Sequence, residues 1–377
     1  MYFTKIIVAD WREKFMANWQ NLNTKKKLIS KTVPLSEKDA LRAEVKAMED
    51  AGLCIINNET TTSKSYKINY VITKEELTAD AIRALFANTV KPVQFKRTDK
   101  KKKQATKEKR IFCDEQAMAI VNIADFHFNR QVSGEDGYGV DYDADIAEKV
   151  FVDAIQDIKR RLRRCSYNVE RIVLNTCGDF LNSDNKLSTT TNGTPQRDNV
   201  SYKQALIRGC RLIEYALTEL SAVAPVEYYY VAGNHDEHLG LGITLYQEAR
   251  FRDYKDITIN AGTNSRALVT YGTNVIVLAH GDTEGTKAID LPYIEPKAKE
   301  LVSTATNLEV LTGHLHSTTV RNKNGVRWEI LNSACPVQDN WSYDKAYGDD
   351  HAEATIMYYN SKGRVQQDTI DMKQFLD

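Results

Sequence analysis

The segment Glu227-Tyr228-Tyr229-Tyr230-Val231-Ala232-Gly233-Asn234-His235-Asp236 joins a run of aromatic and β-branched residues to a short polar tetrapeptide. The run has the composition of a β-strand, and the glycine lets the chain turn sharply where it ends. Asn234 offers a neutral carbonyl oxygen, an uncommon metal ligand, and His235 then stands beside a metal without having to bind it. Such an imidazole suits acid catalysis by giving a proton to a leaving alkoxide. Asp236 is placed to orient the ring and keep it protonated near neutral pH. A polar loop after a strand is the plain alternative for this tetrapeptide taken alone.

The same arrangement recurs on both sides of it. Met118-Ala119-Ile120-Val121-Asn122-Ile123 leads to Asp125-Phe126-His127, and Arg171-Ile172-Val173-Leu174-Asn175 leads to Gly178-Asp179. Val275-Ile276-Val277-Leu278-Ala279 leads to His280-Gly281-Asp282, and Leu308-Glu309-Val310-Leu311 to Gly313-His314-Leu315-His316. Amphipathic helical patterns from about Asp145 to Arg164 and from Ser201 to Leu220 separate the first three strands, which predicts a layered α/β domain. Ligands delivered from strand ends should converge at one edge of a sheet.

Asp125 and His127 are two residues apart, so on an extended segment both point the same way and can grip one ion together. His314 and His316 repeat that spacing. Asp179 has two oxygens and can bridge two cations held about 3.5–4 Å apart. Any one patch alone could be an ordinary turn or a satisfied histidine. Five in this order on matching strand ends point to a pair of divalent metals held by mixed oxygen and nitrogen ligands. Arg130, close after His127, is expected to be an ordinary surface arginine, with a phosphate contact as the alternative.

With 377 residues and 42% hydrophobic content, the chain suits two or more domains with a substantial core. No apolar run approaches the roughly 20 residues a membrane span needs, and Met1-Tyr2-Phe3-Thr4-Lys5 does not begin a signal peptide. A cytoplasmic protein without a membrane partner is the expectation. The six cysteines show no CxxC pairing, which argues for reduced thiols and against a zinc ribbon. Formal charge is zero overall, yet residues 1–110 carry 24 Lys+Arg against 13 Asp+Glu. A basic front attracts polyanions, and an acidic remainder is in keeping with metal binding.

Residues 96–112, including Lys100, Lys101, Lys102 and Lys103, are strongly basic and have no period that could bury a face. They form either a solvated linker or a phosphate-contacting arm. This sets domain boundaries at 1–95, 96–112 and 113–377. In the front domain, Ser36 can cap a helix from about Glu37 to Asp50, with Leu41, Val45 and Met48 on one stripe and Gly52 as its stop. Helices are also expected over Trp11–Asn21 and Lys25–Lys31, and a capping box at Thr73 and Glu76 would open another. Leu53–Ile56 and Tyr66–Ile72 form a hairpin, with a turn at Asn57-Asn58 and a polar run between the strands. The pattern resembles a winged helix-turn-helix, a small α+β domain, although a domain for protein contacts also fits. As a DNA reader it would offer Lys38, Arg42 and Lys46 to the major groove. Otherwise these three residues are a solvated face.

The ordered motifs DxH (Asp125, His127), GD (Asp179), GNHD (Asn234, His235, Asp236), H (His280) and GHxH (His314, His316) resemble those of the calcineurin-like metallophosphoesterase superfamily, over roughly residues 115–350. The resemblance implies a four-layer α/β sandwich with two facing β-sheets flanked by helices. It also implies Asp125, His127 and His316 on one metal, Asn234, His280 and His314 on the other, Asp179 bridging, and His235 as catalytic acid. The implied ions are two divalent metals, manganese above all, with iron or zinc as alternatives. GNHD rather than GNHE, and Phe180-Leu181-Asn182 after Gly178-Asp179, set the chain apart from protein serine/threonine phosphatases. They make it more similar to DNA double-strand-break-repair nucleases, which implies exonuclease-like hydrolysis of DNA. Asn182 stands where that branch has His or Asp, and the loop Thr189-Thr190-Thr191-Asn192-Gly193-Thr194-Pro195 is not part of its pattern. A small-molecule nucleotide or cyclic-nucleotide phosphoesterase with a regulatory front domain is the competing expectation. A homo-oligomer is compatible with either, and a partner ATPase is left open.

Overall fold

The computed structural model describes residues 28–50, 54–62, 64–72, 83, 86, 87, 89–93, 115–135, 140–262, 264–338 and 351–376. The chain divides into two compact units between Lys91 and Pro92. The expected helix over Trp11–Asn21, the Thr73 capping box and the basic stretch 96–112 lie outside the described residues.

In the first unit, strand β1 (Leu28–Pro34) is followed by a 3-10 turn (Leu35–Glu37), helix α1 (Lys38–Asp50), β2 (Cys54–Thr61) and β3 (Ser65–Ile72). The sheet order is β1-β3-β2, antiparallel throughout. Leu41 and Val45, four apart on α1, are buried, as are Tyr66 and Ile68, two apart on β3. Each pair follows the period of its element.

Three expectations for this unit are corrected. Lys25–Lys31 is not a helix where it is described, because from Leu28 the chain pairs with β3, Leu28 opposite Val71. That partner is some forty residues away, beyond what a local window can register. Ser36 lies inside the 3-10 turn and does not cap α1. Asn57-Asn58 is not the hairpin turn. The strand continues through it with a register shift between Ile56 and Asn58, and the turn closes where Ser65 N–H donates to Thr62 Oγ1 at 2.9 Å.

The second unit places β4 (Gln116–Asn122), α2 (Ala144–Arg164), β5 (Asn168–Asn175), α3 (Tyr202–Ser221), β6 (Val226–Tyr229), α4 (Glu237–Phe251) and β7 (Ile257–Asn260) in succession. Then come β8 (Ala267–Tyr271), β9 (Asn274–Leu278), β10 (Asn307–Thr312), β11 (Thr319–Lys323), β12 (Val326–Ile330), β13 (Glu353–Tyr359) and β14 (Arg364–Asp371). Helix starts carry side-chain caps. Asp143 accepts the amides of Asp145 and Ile146 at the start of α2, and Ser201 and Gln204 form a capping box on α3.

Two sheets result, one ordered β14-β13-β4-β5-β6-β7 and the other β11-β12-β10-β9-β8. Strands β4 to β7 run parallel, as do β9, β10 and β12, with antiparallel strands at both edges of the second sheet and one edge of the first. Alternation along the strands explains the layering. Met118, Ile120 and Val173 of the first sheet pack with Ile276, Leu278 and Leu311 of the second. Val275, Val277 and Val310 instead face Ala288, Leu291 and Ala298 on the short helical segments Gly285–Asp290, Leu291–Ile294 and Pro296–Leu301. Helices α2, α3 and α4 pack one against the next, with α3 on β6 and α4 on β7. The unit is a helix–sheet–sheet–helix sandwich. Among the described residues no helix is long and apolar enough to cross a membrane, and Cys165, Cys177, Cys210 and Cys335 are free thiols.

Phe151 of α2 meets Phe126 with ring centroids 5.3 Å apart and Phe180 at 5.6 Å, in a cluster that supports the loops carrying Asp125, His127 and Asp179. Its side chain is fully buried. Phe151→Ala is expected to cost about 3–5 kcal/mol of unfolding free energy in urea melts; a loss below about 1 kcal/mol would mean that the cluster closes over the cavity.

Candidate metal centre

The strands β4, β5 and β6 of one sheet and β9 and β10 of the other end at a common edge, and the polar patches follow those ends. The structure brings Asp125, His127 and His316 together with ligand atoms within 4.8 Å of one another, and likewise Asp179, His280 and His314. A third such group is His127, Asp179 and His235. Asp179, a member of the second triad, is thus also within reach of His127 of the first. Asn234 Oδ1 lies 3.0 Å from His280 Nε2, which places the asparagine with the second triad.

The local backbone is not the extended one that the Asp-x-His spacing suggested. Asp125, His127, Asp179, His314 and His316 all have positive φ, between 48° and 68°. For residues with a β-carbon this left-handed conformation costs about 1–3 kcal/mol each, so the surroundings must enforce it. They do so through hydrogen bonds between the loops. His127 N–H donates to the Asp179 carbonyl at 3.0 Å, His235 N–H to Asp179 Oδ1 at 2.7 Å, and His314 N–H to both Asp125 oxygens at 3.0 Å.

Two glycines make the close approach possible. A β-carbon on Gly233 would lie 2.2 Å from Asp179 Oδ1, and one on Gly313 would lie 2.3 Å from Asp125 Oδ2. Both carboxylates are packed against bare backbone.

The donor set suits divalent cations. Asp125, His127, Asp179 and His280 are all buried, and burying two carboxylates with no cation nearby is costly. Burial raises the Asp125 pKa to about 7 against the opposing charge of His280. Burial also opposes the charged form of Asp179, but His280 and then His235 outweigh it and hold that carboxyl well below its usual range. His127 is pushed far down by burial and then by the charge of Arg130, which leaves a neutral ring fit to coordinate. Its Nδ1 is buried with no hydrogen-bond partner, while its Nε2 lies 3.1 Å from His316 Nε2. Two imidazole nitrogens this close are readily explained by a cation that both can address. His280 Nδ1 is 2.9 Å from the Cys177 carbonyl, to which it donates, so Nε2 is turned toward Asp179 Oδ2 at 3.1 Å.

His235 lies beside the centre, its ring centroid 4.6 Å from that of His127. Its Nδ1–H donates to the Asn182 carbonyl at 2.9 Å. The expected role of Asp236 as the partner of that ring is therefore corrected. The Asp236 carboxylate instead accepts the amides of Asp179 at 3.0 Å and Leu181 at 3.1 Å. Burial, reinforced by the charge of Asp179, lifts its pKa to about 8. Asp236 sets the loop that carries Asp179. Arg130 is likewise no surface residue: it is only 5% exposed, and its Nε lies 3.4 Å from Asn182 Oδ1.

Residues that the sequence did not single out complete the surroundings. Asn129 clasps Val200 through both ends of its amide, and Asp184 is buried beside the loop of Asn234. Neither has a motif to betray it. Of the candidate nucleic-acid contacts, Lys38 lies over the Tyr66 ring at 5.6 Å, Arg42 pairs with Glu59 at 3.2 Å, and Lys46 is exposed on α1. Lys100, Lys101, Lys102 and Lys103 lie outside the described residues.

A calcineurin-like phosphoesterase family model matches residues 118–361, the span that holds every one of these ligands. The chain belongs to that family. It is accordingly a metal-dependent phosphoesterase that uses divalent ions. No curated protein sequence matches it. Among solved structures it is similar to a novel archaeal phosphodiesterase (13% identity, TM-score 0.34, covering 67% of this chain and 100% of that one). It is also similar to a predicted phosphoesterase of Streptococcus pneumoniae TIGR4 (13%, 0.31, 68% and 90%) and to zinc-complexed Vps29 of Entamoeba histolytica (15%, 0.28, 68% and 99%). At these scores the assignment stands on the family match.

Two outcomes are expected. Gly313→Ala should leave the sandwich folded by circular dichroism but reduce retained metal, measured by elemental analysis after desalting; full metal content would mean that Asp125 can retreat. Burial opposes the charged form of His280, but Asp179 and then Asp125 raise its pKa to about 10, so in the metal-free protein the ring keeps its proton at neutral pH. Metal must displace that proton, so affinity should rise with pH from about 6 to 9, with proton release seen by calorimetry in buffers of different ionisation heat.

Proposed function

We propose that this phosphoesterase is a phosphodiesterase acting on nucleic acid, a DNA nuclease working exonuclease-like with manganese. The observation that carries the hydrolytic part is that Asp179 groups both with His280 and His314 and with His127 and His235. Two divalent ions at such a site supply a more acidic attacking water and charge neutralisation on the phosphoryl oxygens. Asp125, His127 and His316 would hold one, Asn234, His280 and His314 the other, with Asp179 shared. His235, its Nδ1–H spent on the Asn182 carbonyl, keeps Nε2 for proton transfer to the departing alkoxide. Asp236 and Gly233 keep Asp179 in place but touch no reacting atom.

DNA as substrate is supported by the excess of basic residues over 1–110 and by Lys46 and Arg42 on the exposed side of α1. A second reading, hydrolysis of a small nucleotide or cyclic nucleotide, gains from the internal engagements of Arg42 with Glu59 and of Lys38 with Tyr66. A cytoplasmic setting is part of the nuclease proposal, and self-association is compatible with it.

The test is a manganese-supplemented assay of the full chain on linear duplex DNA, a cyclic nucleotide and bis(p-nitrophenyl) phosphate. His235→Ala should lower kcat by about 10²–10⁴-fold on any substrate turned over, with metal content preserved. Affinity for DNA should fall steeply between 50 and 200 mM salt, by about 10³-fold or more if six or more phosphates are contacted, while the small diester is unaffected. Turnover of the cyclic nucleotide without DNA cleavage would put the second reading in its place.

A further inference from the structure

Asp236 occupies the N-cap position of α4, but its carboxylate is turned inward and caps nothing. The cap comes from Asp184, more than fifty residues upstream. Its Oδ1 accepts the amide N–H of Leu239 at 2.8 Å and that of His238 at 3.0 Å. The same carboxylate accepts the Thr191 hydroxyl at 2.8 Å and binds His238 Nδ1. The side chain of Asp184 is 1% exposed, whereas that of His238 is 73% exposed. These amides of α4 are thus already taken by a carboxylate. What the helix start presents outward is an imidazole.

An exposed histidine gains little from packing, and fixing its ring costs side-chain entropy. Here a buried carboxylate fixes it all the same, with Nδ1 bound and Nε2 facing away from that bond. The strand-end strip that does this also holds the proposed catalytic ring. Asn182 carbonyl takes His235 Nδ1, and two residues on, Asp184 takes His238 Nδ1. The unfamiliar Thr189–Pro195 loop closes the circle, because Thr191 N–H donates to the Asn234 carbonyl at 2.9 Å while its hydroxyl reaches Asp184. Two histidines, three residues apart, are therefore suspended from one strip, and the first of them, His235, lies beside the metal centre.

We propose that His238, oriented by Asp184, binds the phosphate next to the scissile one in a nucleic-acid strand. In its imidazolium form the ring offers Nε2–H as a charge-assisted donor to an anionic phosphodiester oxygen, with its own charge balanced by Asp184. Asp184 is a positioning residue, and His238 makes the contact. This subsite rests on the nucleic-acid reading above.

Short thymidine oligonucleotides test it. The dinucleotide has only the scissile phosphate, and the trinucleotide adds a flanking one. Steady-state kinetics of the manganese-loaded full chain are measured on both and on bis(p-nitrophenyl) phosphate. The wild type should favour the trinucleotide by about tenfold in KM, His238→Ala should erase that preference, and His238→Arg should restore most of it. Because the ring is exposed, melting temperatures should stay together. A preference that survives in His238→Ala, or a wild type with equal KM for both oligonucleotides, overturns the subsite and leaves the nuclease reading standing. Hydrolysis of the small diester with no cleavage of either oligonucleotide removes the nucleic-acid reading, and the subsite with it.

Discussion

The buried carboxylate of Asp179 is the point to which the site is tied. Its carbonyl receives the amide of His127, its Oδ1 the amide of His235, its own amide is given to Asp236, and its Oδ2 faces His280. Loops from three strands are thereby fixed by one residue. The arrangement needs bare backbone at Gly233, and it needs cations, since a buried carboxylate set without them carries a desolvation cost of several kcal/mol. The same groups that organise the loops are those that call for metal.

The two sheets contribute unlike halves. The first supplies the oxygen-rich part, Asp125, Asp179 and Asn234, with His127 and His235, and the second supplies His280, His314 and His316. Neither half can enclose two ions alone. The apolar packing of Met118, Ile120 and Val173 against Ile276, Leu278 and Leu311 therefore serves the chemistry as directly as any ligand does. It sets the separation at which imidazoles from one side meet carboxylates from the other. Strained backbone at five ligand positions is tolerated because this packing and the inter-loop hydrogen bonds leave no better conformation.

Much of the catalytic unit is legible in the primary structure, because each strand is a compact apolar run and each ligand patch follows one. What escapes it is of one kind. Asp236 next to His235 suggests a ring partner, but the carboxylate reaches the amides of Asp179 and Leu181 in a loop more than fifty residues away. Arg130 has the look of a surface cation until Asn182 and the surrounding chain cover it. Leu28–Pro34 looks like part of a lysine-rich helix because its partner β3 is far along the chain. Asn57-Asn58 has turn composition, yet it is absorbed as an irregularity within β2. In each case the deciding contact is non-local.

Residue chemistry and periodicity were enough to determine the α/β alternation, the order of the ligand patches and a donor set suited to divalent cations, since these depend on composition and on spacing within single elements. The left-handed backbone at the ligands, the removal of Asp236 from the His235 ring and the capping of α4 by Asp184 were settled only by the folded chain. Those features depend on which segments become neighbours, and burial and hydrogen bonding between distant loops enforce conformations that no isolated segment would adopt.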